Sequence, residues 1–141
     1  MEECIFCKIV EKKAEASVIY EDDKTVAFLD VRPANLGHTQ VIPKKHASNI
    51  YEIEEEELAA VTNTVKKIAI AVKGALNADG INVGESNEPV SWQIIPHLHF
   101  HIIPRFKDDG FKESFQRKFA LGANLTRDDL NKQAEEIKRL L

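Results

Sequence analysis

Apolar and polar positions change period several times along this 141-residue chain. The apolar spacing at 5, 6, 9 and 10 fits a short amphipathic helix or turn near the start. Short strands are predicted for Ser17–Tyr20, for Thr25–Val31 (ending on an acid) and for His38–Ile42 (stopped by Pro43). Glu21-Asp22-Asp23-Lys24 reads as a hairpin turn and Arg32–Gly37 as a loop. From Glu54 to Asn77 the period becomes helical, with Leu58, Val61, Val65, Ile68, Val72 and Leu76 at spacings of three and four. Glu54–Glu57 suits a first helical turn, where carboxylates meet the positive end of the dipole. A fourth strand is expected at Ile81–Gly84, then a polar loop from Glu85 to Ile95. Phe106–Leu125 reads as irregular, anchored by Phe111, Phe115 and Phe119. Thr126-Arg127-Asp128-Asp129 is a capping box for a last helix with Leu130, Ala134, Ile137 and Leu141 on one side. About five short strands in an antiparallel sheet, one long central helix and a C-terminal helix predict a single α+β domain, with its core over about 4–105 and an extension over 106–141.

The fifth predicted strand, His97–Ile103 and closing at Pro104, carries the unusual chemistry. Histidine alternates with apolar residues at 97, 99 and 101. An extended chain sends alternate side chains to opposite faces, so the three imidazoles share one face. A helix would spread them over about 400°. An imidazole titrates near neutrality, attacks as a nucleophile and ligates metals. Four residues of strand put His97 and His101 about 13 Å apart, too far for one ion to hold all three without bending.

Composition narrows the classes. A net charge of −4 and a pI near 5.7 lack the basic stripe that a grip on nucleic acid requires. No apolar run of about 20 residues is present to span a membrane. The acidic start Met1-Glu2-Glu3-Cys4 lacks a signal-peptide layout, so a cytoplasmic location is expected. There, two cysteines are thiols or metal ligands rather than a disulfide. Cys4, Cys7, His46 and His97 together make an S2N2 set suited to Zn²⁺.

His97-Leu98-His99-Phe100-His101-Ile102-Ile103 resembles the signature of the histidine triad (HIT) superfamily of nucleotide hydrolases and transferases. Ala27-Phe28-Leu29-Asp30, Gly37-His38-Thr39, Val41-Ile42-Pro43-Lys44-Lys45-His46 and Ile103-Pro104-Arg105 match it in order as well. The resemblance implies attack by His99 on the α-phosphorus of a purine nucleotide derivative, a phosphoramidate or a dinucleoside polyphosphate. A covalent nucleotidyl-histidine follows, with His101 steadying the phosphate oxygens. It further implies that Asp30 accepts the ribose hydroxyls, that Ile5, Phe6, Ile9, Phe28 and Val31 line the base pocket, and that His38 lies near the phosphates. On the residues alone those apolar positions read as plain core, only their clustering around Asp30 favouring a pocket; Asp30 is equally a turn residue and His38 equally a solvated strand start.

Some branches of the family hold a structural zinc on residues matching Cys4, Cys7, His46 and His97, and members usually form homodimers. The chain departs from the family pattern where Ser86 stands in place of Asn or Gln at the α-phosphate, with Asn87 beside it. It departs again at Trp92-Gln93-Ile94, where members usually show Gly-Gln-Ser/Thr; of these Gln93 is retained. The alternative function is a nucleotide-binding interaction module with little turnover.

Overall fold

A computed structural model describes residues 3–110 and 125–141. Five strands form one antiparallel sheet in the order β1-β2-β3-β5-β4. They are β1 (Val18–Glu21), β2 (Thr25–Leu29), β3 (Thr39–Pro43), β4 (Gly80–Glu85) and β5 (Phe100–Arg105). Helices α1 (Ile5–Val10), α2 (Glu55–Leu76) and α3 (Arg127–Lys138) complete the fold. The expected anchors Phe111, Phe115 and Phe119 lie outside the described residues.

Period-two alternation divides the sheet into two differently used faces. Ala27, Leu29, Val41, Leu98 and Ile102 point to one face. There they meet Val61, Ile68 and Val72 of α2 and Leu130, Ala134 and Ile137 of α3. Val26, Phe28 and Ile42 point the other way and pack against Phe6 of α1. β2 is therefore buried at every position, as expected of a strand covered on both sides. The carboxylates of Glu54 and Glu57 at the start of α2 pair with Lys45 and Lys24. Asn77 ends α2 in the left-handed conformation. Gly37 also has positive φ, and a Cβ there would collide with the Leu76 side chain.

Several predicted boundaries move, each for a local reason. β2 stops at Leu29 rather than Val31, because Asp30 bends the chain by accepting the Arg32 N–H on its own carboxylate at 2.8 Å. β3 runs through Pro43, and β5 through Pro104 to Arg105. Each proline pairs with a single neighbour, Thr25 or Ile81, so a missing N–H is tolerated. The histidine strand is shorter than predicted at its start. Pairing ends at Phe100, opposite Val41 on β3 and Glu85 on β4, and His97–His99 continue past both neighbours. Only the Leu98 N–H, bonded to the Ala47 carbonyl at 2.8 Å, continues the backbone pairing there. The capping box forms as read, with Thr126 and Asp129 exchanging side-chain and backbone bonds. Leu141 lies beyond the end of α3 and is half exposed rather than buried.

Ile102 sits fully buried at the centre of the α2 face. Ile102→Ala is expected to cost about 2–5 kcal/mol of stability, whereas Thr126→Ala, losing one cap, costs about 1 kcal/mol. Urea unfolding followed by circular dichroism checks both.

Candidate functional site

On the α1 side of the sheet, residues of β2, β3 and β5 border a cleft of about 460 Å³. Its apolar wall comes from Ile5, Phe6 and Ile9 of α1 with Phe28 and Val31. Asp30 and Gln40 stand beside them, and His99 and His101 form the floor. Asp30 has both oxygens engaged: Oδ1 accepts from the Arg32 backbone, and Oδ2 accepts from Gln40 Nε2 at 2.7 Å.

Hydrogen bonds to fixed acceptors and donors determine which nitrogen of each buried imidazole carries the proton. His99 Nδ1 lies 2.8 Å from the His97 carbonyl. A carbonyl only accepts, so Nδ1 is protonated and Nε2 keeps its lone pair in the neutral ring. Burial lowers the basicity of His99, opposed by that carbonyl and by Asp30. The result is a neutral imidazole with an unprotonated Nε2 on a ring that lines the cleft.

A second relay starts from a backbone donor. The Ala34 N–H donates to His38 Nδ1 at 3.0 Å, which leaves the His38 proton on Nε2. That nitrogen donates to His101 Nδ1 at 2.9 Å, which in turn leaves the His101 proton on Nε2. Burial pushes both rings down to about 3, with the neighbouring imidazoles adding to the effect. His38 is fully buried behind His101 and is not on the cleft wall. Asp30, His38 and His101 are close enough to suggest a cation cluster. Yet His38 presents an N–H there rather than a lone pair, so the set is a hydrogen-bonded chain that fixes the His101 tautomer.

Cys4, Cys7, His46 and His97 form the other cluster, with their ligand atoms all within 4.8 Å of one another. His97 Nε2 donates to the Pro43 carbonyl at 2.9 Å, turning the Nδ1 lone pair toward the thiols. His97 Nδ1 lies 3.4 Å from Cys4 Sγ, 3.7 Å from Cys7 Sγ and 3.2 Å from His46 Nδ1; His46 Nδ1 lies 3.3 Å from Cys7 Sγ. Around Zn²⁺, ordinary bond lengths give tetrahedral edges of about 3.3 Å between nitrogens and about 3.5 Å between nitrogen and sulfur. The four groups fit that ion in type, spacing and orientation. Burial and the neighbouring Cys4 push the Cys7 thiol up to about 11, and burial lowers His97 to about 4.

The remaining predicted residues fall elsewhere. Gln93 is buried and its side chain is fully engaged: its carbonyl accepts from the Glu88 N–H at 2.7 Å, and its amide donates to the Ser48 and Ile95 carbonyls. Asn87 accepts from the Ile50 N–H and donates to Glu85. Neither residue lines the cleft, nor does Ser86. Cleft residues missed in the sequence include Gln40, Arg32, Trp92, Ile94 and Arg127. Gln40 had a signal, since it lies two residues after His38 within the strand predicted for His38–Ile42; it pairs directly with His101. Arg127 had none, because only the docking of α3 brings it there.

Comparison with known proteins agrees with this layout. The family model described as HIT domain matches residues 11–108. A HIT-like protein from Bartonella henselae superposes with a TM-score of 0.87 at 38% identity, covering 100% of this chain and 98% of its own. A Zn-bound histidine triad family protein from Mycobacterium smegmatis gives a TM-score of 0.83 at 31% identity, covering 99% and 93%. The adenosine 5'-monophosphoramidase of Schizosaccharomyces pombe is 38% identical over 102 residues, 72% of this chain and 74% of that protein.

His38 and His101 titrate near 6.5 when unfolded but near 3 when folded. The unfolded chain therefore binds more protons between those values, and stability falls as pH drops through that window. Each ring removes about 1.4 kcal/mol per pH unit there. Ring-nitrogen NMR is expected to show both residues neutral down to about pH 5, with melting temperature falling over the same range.

Proposed function

The chain belongs to the HIT domain family, and from that premise we propose that it is a nucleotide hydrolase working through a covalent nucleotidyl-histidine on His99. The substrate class is a purine nucleotide joined through its α-phosphate to an amine or a second phosphate. The reading rests on one observation above the others. The bond from His99 Nδ1 to the His97 carbonyl leaves a neutral ring whose Nε2 lone pair is the nucleophile.

In the proposed sequence, the base lies against the apolar wall that Ile5, Phe6, Ile9, Phe28 and Val31 form, and the ribose hydroxyls donate to the Asp30 carboxylate. The His99 Nε2 lone pair bonds to the α-phosphorus as the bond from phosphorus to the leaving nitrogen breaks. That nitrogen departs as an amine, taking a proton from solvent. The phosphorylated ring is then cationic, and its Nδ1–H to the His97 carbonyl becomes a charge-assisted bond. His101 Nε2–H donates to a phosphate oxygen as charge builds there. Water then attacks phosphorus and loses a proton to solvent, the bond from phosphorus to His99 breaks, and its pair returns to Nε2.

Cys4, Cys7, His46 and His97 would hold a structural Zn²⁺, which ties α1 to the turn after β3 and to the residue preceding Leu98. His97 would then serve twice, its ring toward the metal and its carbonyl toward His99. The Mycobacterium smegmatis structure, described as Zn-bound, supports this assignment.

His99→Ala is expected to lower turnover of adenosine phosphoramidate by at least about 10³-fold. Parent enzyme quenched in alkaline denaturant, where a phosphorus–nitrogen bond survives, should carry a nucleotidyl adduct by mass spectrometry; full activity in the variant overturns the mechanism. Cys4→Ser with Cys7→Ser is expected to remove zinc, measured by plasma mass spectrometry, and to lower the melting temperature. It should lower turnover less than His99→Ala does.

A further inference from the structure

The loop leading into the histidines holds a bulky ring where the backbone favours glycine. Trp92 has φ +76° and ψ 23°, in the left-handed region. For a large side chain this conformation carries strain that persists only where surrounding bonds dictate it. Those bonds are present. The Trp92 N–H bonds to the Pro89 carbonyl at 2.9 Å, the Gln93 N–H to the Glu88 carbonyl at 3.2 Å, and the Gln93 amide is pinned on both its ends. Burial does not offset the strain either, because Trp92 is 59% exposed and Ile94 is 74% exposed. Both nevertheless line the cleft that contains His99 and His101. The result is a rigid apolar lip at the mouth of the site, strained and solvent-facing without a substrate.

We propose that Trp92 and Ile94 form a subsite for the leaving group, selecting substrates whose departing group is aromatic or otherwise apolar. The inference rests on the function proposed above and narrows its substrate class. With the base on the α1 wall, the ribose at Asp30 and the α-phosphate at the two histidines, the part of the substrate left for this lip is the group beyond phosphorus. A planar apolar group there gains stacking and burial on a side chain whose backbone is already held in place, which lowers the ordering cost. Trp92 contributes specificity and the histidine pair contributes the chemistry.

The test compares an adenosine phosphoramidate of an aryl-alkyl amine with the unsubstituted phosphoramidate, using the parent and Trp92→Gly. Glycine suits this backbone conformation, so the variant is expected to fold with an equal or higher melting temperature. The ratio of kcat/KM for the two substrates is expected to fall about tenfold in Trp92→Gly; a ratio within about twofold of the parent overturns the subsite. Trp92 is the single tryptophan of the chain, so its emission reports the lip directly. In a His99→Ala background, emission is expected to change on binding the aryl compound and not on binding AMP. An equal response to AMP places the ring against the base and also overturns the proposal. If the parent cleaves neither compound, the proposed hydrolase function fails, while the emission titration still decides the subsite.

Discussion

Three backbone groups determine what the buried histidines can do. The Pro43 carbonyl accepts a hydrogen bond from His97 Nε2–H, the His97 carbonyl accepts one from His99 Nδ1–H, and the Ala34 N–H donates to His38 Nδ1. An imidazole with one nitrogen engaged by a fixed partner has no choice of tautomer. His97 therefore turns a lone pair toward Cys4 and Cys7. His99 keeps its lone pair on the nitrogen away from its own backbone, and His101 accepts a hydrogen bond from His38 at Nδ1 and keeps its own proton on Nε2. Rotating any one of these peptide groups would reverse the role of a ring without changing a single side chain.

These bonds exist because the histidine segment leaves its ladder early. Had β5 continued to His97, the His97 carbonyl could have been consumed by a neighbouring strand. Instead β3 and β4 give no pairing before Phe100, and the freed main chain serves the side chains. Burial completes the arrangement by making cationic rings costly, so that His38, His97 and His101 all stay neutral through the physiological range. A neutral nucleophile and neutral donors suit a phosphate ester that already carries negative charge. Under the proposed mechanism, positive charge is then generated only on His99 and only while it is bonded to phosphorus.

The two faces of the sheet divide stability from chemistry. Leu98 and Ile102 anchor the histidine segment into the α2 core with no exposed surface, so the rings on the opposite side are held by a rigid backing. α1 is only six residues long, too short to be a stable helix by itself. It is held by Phe6 against Phe28 and by the Cys4 and Cys7 cluster, and it supplies the apolar wall of the cleft in return. Removing the cluster therefore bears on the cleft as well as on stability.

Much of this was legible in the residues. Alternation at 97–103 assigned the imidazoles to one face, helical spacing located α2, and Thr126 with Asp129 marked the start of α3. Cys4, Cys7, His46 and His97 were recognisable as a ligand set by type. These features follow from local periodicity and side-chain chemistry, which do not depend on distant contacts. What only tertiary structure decided was which atoms face one another. The strand's early end, the burial of His38 behind His101, the full engagement of the Gln93 side chain and the arrival of Arg127 and Trp92 at the cleft all depend on where separate elements pack. A hydrogen bond is directional over about 3 Å, and residues far apart in the chain acquire that precision only when the sheet and helices have set their positions.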